Sequence, residues 1–495
     1  MNSRAAMVVS LTVLILASGS LAYAASPINI GSRRELFVDD YLISKRDGVE
    51  LRLHTPTPRE IVMKHDAPWE GNACTYCTIF RDGDRIRMWY TGSTWFDKEI
   101  PAHPVYYCYA ESTDGIHWTR PELGLFEFNK SRKNNIVWSA PDLDNFMVFK
   151  DLNPACRPGE NYKAVSSGER GGARGLLALA SPDGLHWSAL GGKPIITKGA
   201  FDTLNVAFWD SVHSCYFCYI RGFHGPGIRD IRVSTSKDFA TWTDPVEIKY
   251  VDSPDEPMYT NNIAPYYRAP HIFVGFPTRY FERALSPSIY ALPDPEHRKE
   301  RMSSHPRFGT ALTDGLFMTS RDGMTFNRWS DTFLQPGIER QHNWVYGDCY
   351  QNHGLIETAA EDPTAPPELS LYVIENHSKK LERLRRYTMR IDGFVSARAS
   401  QKGGELLTKP LVVAGSSLTL NFSTSVVGSV RVELQDANGT PLPGFTIKEC
   451  NDIFGDSLDR CVGWVSKGEL AILAGKPIRL RFALKDADLY SFQFK

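Results

Sequence analysis

The chain has almost no net charge. Its 56 Lys and Arg residues face 57 Asp and Glu across 495 positions, so there is no field to gather nucleic acid or an anionic membrane surface. Past residue 24 it also lacks any uninterrupted apolar run of the roughly 20 residues that a membrane span needs. No glycine-rich phosphate loop and no Gly-x-Ser-x-Gly elbow occurs, which removes the common nucleotide sites and the α/β-hydrolase triad. His65, His271, His342 and His353 make no recognisable metal set, so neither metal nor cofactor is expected, although His65 and His342 fall near loops where a proton-relay role is open. The nine cysteines are odd in number and cannot all pair within the chain. Cys74-x-x-Cys77 and Cys215-x-x-Cys218 have zinc-like spacing, but Thr75-Tyr76 and Tyr216-Phe217 fill the gaps with strand formers, so all four read as small buried strand residues. Cys450 and Cys461, close together in a loop-rich stretch, are the expected disulfide.

The N-terminus reads as an export signal. Arg4, the apolar stretch from Ala5 to Ala17 and the small-residue site Ala22-Tyr23-Ala24 predict cleavage after Ala24. No cysteine directly follows the cut, so no lipid anchor is expected, and the mature chain is expected in the periplasm or secreted.

A short phrase recurs at irregular intervals. It reads Ser112-Thr113-Asp114-Gly115-Ile116-His117-Trp118, Ser181-Pro182-Asp183-Gly184-Leu185-His186-Trp187, Ser236-Lys237-Asp238-Phe239-Ala240-Thr241-Trp242 and Ser320-Arg321-Asp322-Gly323-Met324-Thr325-Phe326. A weaker fifth copy spans Arg390-Ile391-Asp392-Gly393-Phe394. Asp, usually followed by Gly, closes a tight turn between a β run and a bulky aromatic, and one such hairpin unit repeated around an axis is a β-propeller. Before each copy lie three runs rich in Val, Ile, Tyr, Phe and Trp, predicting five blades over residues 25–395, with Glu35–Ile43 as the strand that closes the ring. Over residues 396–495 the phrase is absent, and short alternating runs with Gly, Asn and Asp turns predict a β-sandwich. The fold class is therefore all-β, a five-bladed propeller followed by a C-terminal sandwich.

An aromatic content of 12% suits a protein that stacks rings on sugars, and hydrolysis of a glycosidic bond on such a scaffold would need an acid to protonate the leaving oxygen and a carboxylate to activate water or attack the sugar. Innermost strands line a propeller's axis, so the candidates are carboxylates where the chain enters those strands. Glu70, beside Trp69, and Asp202 occupy that position in blades one and three and are the expected working pair, with Asp144 of blade two as a third. Asp142 and Asp348 stand at comparable entrances. The repeated Asp114, Asp183, Asp238 and Asp322 are read as scaffold. For substrate binding the candidates are Asp40, Trp69, Tyr259, Asn261, Arg268, Arg279 and Trp344. Aromatic faces and amides suit ring hydroxyls, and guanidinium groups suit a carboxylate or sulfate. Arg268 and Arg279 have an equally available reading as partners of Asp or Glu across blades.

The pieces Leu36–Ile43, Pro68-Trp69-Glu70, Arg87-Met88-Trp89-Tyr90, Phe201–Asp210, Tyr266–His271 and Arg390–Ser396 resemble exported bacterial proteins of the five-bladed propeller superfamily that includes glycoside hydrolase families 32, 43, 68 and 117. The resemblance implies an acid, a base and a helper carboxylate drawn from the first three blades. The Trp-Met-Asn-Asp-Pro opening, the Arg-Asp-Pro triplet and the Glu-Cys pair of the fructan-cleaving family are absent, and family 43's first-blade Asp has no clear counterpart. The function this implies is a secreted glycosidase acting on a poly- or oligosaccharide, acidic or sulfated sugars included. The alternatives are a noncatalytic carbohydrate-binding propeller and, more narrowly, a lyase or phosphorolytic enzyme.

Overall fold

The computed structural model describes residues 26–95, 103–139, 143–380, 382–466 and 468–495. The export segment 1–24 and Asp142 lie outside the described residues.

Five sheets, antiparallel except for one edge strand of the fourth, follow one another along the chain as propeller blades. From the inner strand outward, blade one is Thr78–Asp82, Arg85–Gly92, Tyr106–Ser112 and Ile136–Trp138, and blade two is Leu143–Lys150, Tyr162–Arg170, Ala173–Ser181 and Ser188–Leu190. Blade three is Val206–Asp210, Cys215–His224, Ile228–Ser236 and Val246–Glu247. In blade four Ala264–Tyr266, Ala269–Gly275, Met318–Ser320 and Thr325–Arg328 are extended by Lys249–Val251. Blade five is Ile356–Thr358, Glu368–Glu375 and Arg383–Met389, and its outer strand is Thr57–Lys64 from the start of the chain.

That last pairing corrects the expected ring closure. Glu35–Ile43 does not close the ring: Glu35 and Leu36 pair with Phe492 and Ser491, and the Phe37 amide donates to the Tyr490 carbonyl at 3.1 Å. The physical reason is that the segment is apolar on both faces. Phe37 enters the C-terminal core, 5.6 Å from Phe492, whereas Leu36 and Val38 pack beneath blades four and five with Tyr266 and Phe317. A strand buried on both sides has no polar face to reveal which body owns it.

The repeated phrase forms the turn between the third and fourth strands of blades one to four. In blade one the Asp114 carboxylate accepts the amides of Ile116 and His117, both at 2.8 Å, while Ser112 Oγ accepts the Gly115 amide at 2.9 Å. Asp183, Asp238 and Asp322 repeat this pattern. The turns also join neighbouring blades: Trp89 Nε1 of blade one donates to the Gly184 carbonyl of blade two at 2.8 Å. Tyr372 of blade five reaches Gly115 in the same way, and Tyr219 of blade three reaches Gly323. The fifth copy departs from the phrase. Asp392 is buried where the two bodies meet, accepting from Tyr266 at 2.7 Å, Arg268 at 2.9 Å and Ser491 at 2.9 Å.

Blade four carries an insertion with the hairpin Thr278–Glu282 and Ala311–Gly315, and between its strands the helices Pro287–Ala291, Pro295–Ser304 and Arg307–Thr310. The second body is built around two long antiparallel strands, Leu418–Asp436 and Pro477–Phe494, over a core that includes Phe37, Leu420, Val432, Phe482 and Phe492. It is not made of C-terminal residues alone. Ile28–Gly31 pairs in parallel with Leu411–Val413, Ile43–Asp47 joins Gly404–Thr408, and Val49–Leu53 joins Val395–Ala399. Cys450 and Cys461 are both free, which corrects the expected disulfide: Cys450 is buried with its sulfur accepting the Val432 amide at 3.2 Å, and Cys461 is exposed in the strand Asp456–Cys461.

Candidate active site

A cavity of about 360 Å³ opens at the entrance side of the inner strands, and every blade lends it side chains. Blade one supplies Tyr76 and Trp95, blade two Asp144, and blade three Asp202. Tyr259 enters with blade four, Arg307 and Phe308 come from the blade-four insertion, and Tyr346, Tyr350 and His377 come from blade five.

Asp144 starts the inner strand of blade two. The ladder shifts register between Asp144 and Met147, with Asn145 in the left-handed region at φ 57°, and Ser166 and Ser167 anchor the Asp144 carbonyl at 2.8 and 3.0 Å. Asp144 is exposed on the cavity side, with protein packed densely around that opening. Burial raises its pKa above the ordinary aspartate value, and the charge of Asp202 raises it further. Asp202 is exposed as well but has a cation beside it, lying 3.2 Å from Arg221 Nη2. Arg221 is itself buried, stacks 5.2 Å from the Tyr259 ring, and has no hydrogen-bond partner for Nε or Nη1. The two carboxyls thus share one cavity in unlike surroundings.

Aromatic rings build the walls. Tyr350 stacks on Tyr76 and on Tyr259 at 6.2 and 5.7 Å, Phe308 stacks on Tyr346 at 5.6 Å, and Trp95 meets Phe308 edge-on at 5.2 Å. The Tyr346 and Tyr259 hydroxyls are hydrogen-bonded to each other. Arg307 lies 4.6 Å from the Phe308 ring centre, and its Nη1 is buried with no hydrogen-bond partner. His377 is fixed by Glu382, whose Oε2 lies 2.9 Å from Nδ1; burial, with the charge of Arg301, pushes the imidazole down to about 3, so the ring is neutral.

Of the residues expected from sequence, the structure brings Asp144, Asp202 and Tyr259 together. Glu70 does not reach the cavity. It is fully buried, accepts from Tyr90 at 2.6 Å and the Ala67 amide at 2.9 Å, and lies 3.0 Å from Arg120 Nε. Trp69 donates to Asn135 at 2.7 Å and packs edge-on against Phe128. Asp40 is exposed, 3.0 Å from Arg46. Asn261 is buried with its amide directed at the carbonyls of Leu204 and Tyr219, and Trp344 Nε1 donates to Gly337. Arg268 pairs with Asp392 at 2.9 Å, and Arg279 with Asp314 at 2.6 Å and Glu256 at 3.0 Å, so both hold the scaffold across elements. The sequence reading missed Arg307 and His377. Arg307 lies in a helix within the blade-four insertion and His377 in a turn, and neither stands at an inner-strand entrance, the one position the repeat makes visible.

No protein-family model matches the chain, and no curated protein does. Solved structures with a similar chain course include a glycoside hydrolase at 15% identity and a TM-score of 0.42, covering 68% of this chain and 93% of that one. A glycosyl hydrolase from Bacteroides ovatus matches at 13% identity and 0.40, covering 73% and 93%, and a thermostable family-43 glycoside hydrolase at 13% and 0.40, covering 65% and 93%.

Proposed function

We propose that the protein is a secreted glycoside hydrolase acting on a poly- or oligosaccharide, with Asp144 and Asp202 as its carboxylate pair. The observation that carries this reading is that two carboxyls line one cavity with unlike partners: Asp202 lies 3.2 Å from the Arg221 guanidinium, whereas Asp144 has no ion pair among the described residues, and partial desolvation with its neighbour's charge raises its pKa. A raised pKa favours the role of acid toward the leaving oxygen, and a carboxylate beside a guanidinium suits the role of base or nucleophile. The aromatic walls suit the apolar faces of sugar rings. The half-buried Arg307 brings a guanidinium to the cavity lining, which suits a uronate or sulfate group. Export rests on the leader-like segment 1–24; among the described residues no helix is long and apolar enough to cross a membrane.

The test is turnover on a panel of neutral, uronic and sulfated glycans. Asp144→Asn and Asp202→Asn should each lower kcat by about a hundredfold or more with little change in Tm, and Arg307→Ala should weaken anionic substrates more than neutral ones. Full turnover in either Asp variant discards that residue, and glycan binding by a wild type that never turns over selects the noncatalytic reading.

A further inference from the structure

A second cluster lies behind the His377 wall. His65 directly follows the ring-closing strand, Cys74 sits on the loop entering blade one, and Glu382 directly precedes the blade-five strand that pairs with the closing strand. One ligand atom from each of the three lies within 4.8 Å of the others, and all three residues are buried. We infer that His65, Cys74 and Glu382 form a buried site for a zinc-like divalent metal ion at the seam where the propeller ring closes.

Three observations carry this. The His65 side chain is wholly buried, stacked on Tyr90 at 5.5 Å, yet neither ring nitrogen has a hydrogen-bond partner. Nδ1 stands 3.5 Å from Glu382 Oε1, too far for a good hydrogen bond, and an imidazole buried with both nitrogens idle loses its hydration without return. Second, the wholly buried Glu382 faces the imidazoles of His65 and His377 and the thiol of Cys74, with the Arg301 guanidinium acting on it from farther away. A divalent ion held by one thiolate and one carboxylate gives a site of zero net charge, which lets both ligands be ionised in a buried place. Third, the donor set is nitrogen, sulfur and oxygen. Thiolate and imidazole select zinc and its borderline-soft neighbours over calcium and magnesium, which take oxygen ligands.

Surrounding contacts aim the donors. The Cys74 amide donates to Glu382 Oε1 at 2.5 Å, the His65 amide to the Glu382 carbonyl at 2.8 Å, and His377 Nδ1 lies 2.9 Å from Glu382 Oε2. Such outer contacts fix ligand orientation in metal sites. Loading breaks the hydrogen bond that the Cys74 thiol donates to the Glu70 carbonyl at 3.1 Å, displaces the thiol proton and any proton on Glu382 to solvent, and leaves one tetrahedral position for water. Through Glu382 the ion would also brace His377 at the cavity wall. The site does not depend on the hydrolase reading.

The test uses the full mature chain. After equilibration with zinc and exhaustive dialysis, elemental analysis should find about one equivalent of zinc per chain. Cobalt(II) added to chelator-stripped protein should give a thiolate-to-metal charge-transfer band that Cys74→Ser abolishes. Chelation should lower the wild-type Tm, and zinc should restore it. His65→Gln and Cys74→Ser should bind zinc at least tenfold more weakly and lose the Tm response to chelator. A wild type that retains no zinc and shows no cobalt–thiolate band overturns the proposal, as does undiminished zinc in both variants. If the variants fail to fold, the wild-type cobalt titration decides alone.

Discussion

Asp348 shows how one buried carboxyl makes stability depend on pH. It sits in the loop entering blade five, fully enclosed, accepting the amides of Trp344 at 2.9 Å and Cys349 at 3.2 Å. Burial pushes its pKa from 3.8 up to about 7, against the pull of those amides and Arg340, and the charge of Glu375 adds to the rise. The unfolded chain releases this proton near 3.8 while the folded chain holds it to about 7, so this group's contribution to stability falls as pH climbs through that window and is flat above it. Asp348→Asn should therefore flatten the slope of the urea midpoint against pH across the window, and an unchanged slope would show that the carboxyl is not held protonated. At this scale the candidate site was only partly legible. Asp144 and Asp202 could be picked out because both stand where an inner strand begins, a position the repeat marks. Glu70 stands at a like position in the sequence, yet Tyr90 and Arg120 enclose it, and which of two such carboxylates meets the axis depends on loop packing that no local pattern records.

At the scale of elements, the repeated turns act as latches. Each glycine carbonyl in blades one, two and four takes a hydrogen bond from its own or the neighbouring blade's aromatic. Gly184 has φ 80°, and a Cβ there would come within 2.9 Å of Trp89 and 3.1 Å of Arg87. Gly124 has φ 71° but open space around it. Gly124→Ala should thus show the backbone cost alone, about 1 kcal/mol, while Gly184→Ala should add the cost of displacing Trp89, for about 2–4 kcal/mol in all. Equal losses in urea unfolding would refute the latch. These turns were legible because Ser, Asp and Gly satisfy their own backbone within a few residues. The closing strand was not, because Thr57–Lys64 owes its place to Arg383–Met389, more than three hundred positions away.

At the scale of the molecule, the two bodies share their material. Strands from Ile28 to Leu53 complete the sheet begun at Val395, and charged contacts bind that sheet to the propeller: Arg321 of blade four holds Glu35 at 3.0 Å and Asp39 at 2.9 Å. Removing residues 396–495 alone would strip the partners from four N-terminal strands and bare their edges. That truncation should be largely insoluble, and trimming to 54–394 should raise the monomeric fraction on size-exclusion chromatography. The reverse ranking would mean that the N-terminal strands are held by the propeller instead.

The union of first and last strands also sets a timetable. As the polypeptide leaves the ribosome, Ile28–Gly31 and Val49–Leu53 emerge hundreds of residues before Leu411–Val413 and Val395–Ala399, and Glu35–Leu36 waits for the final strand, Pro477–Phe494. Pairings so remote along the chain are slow to form, so the newborn polypeptide passes most of its synthesis with adhesive segments unmatched. Holding chaperones should engage it early and let go only after its last residues appear.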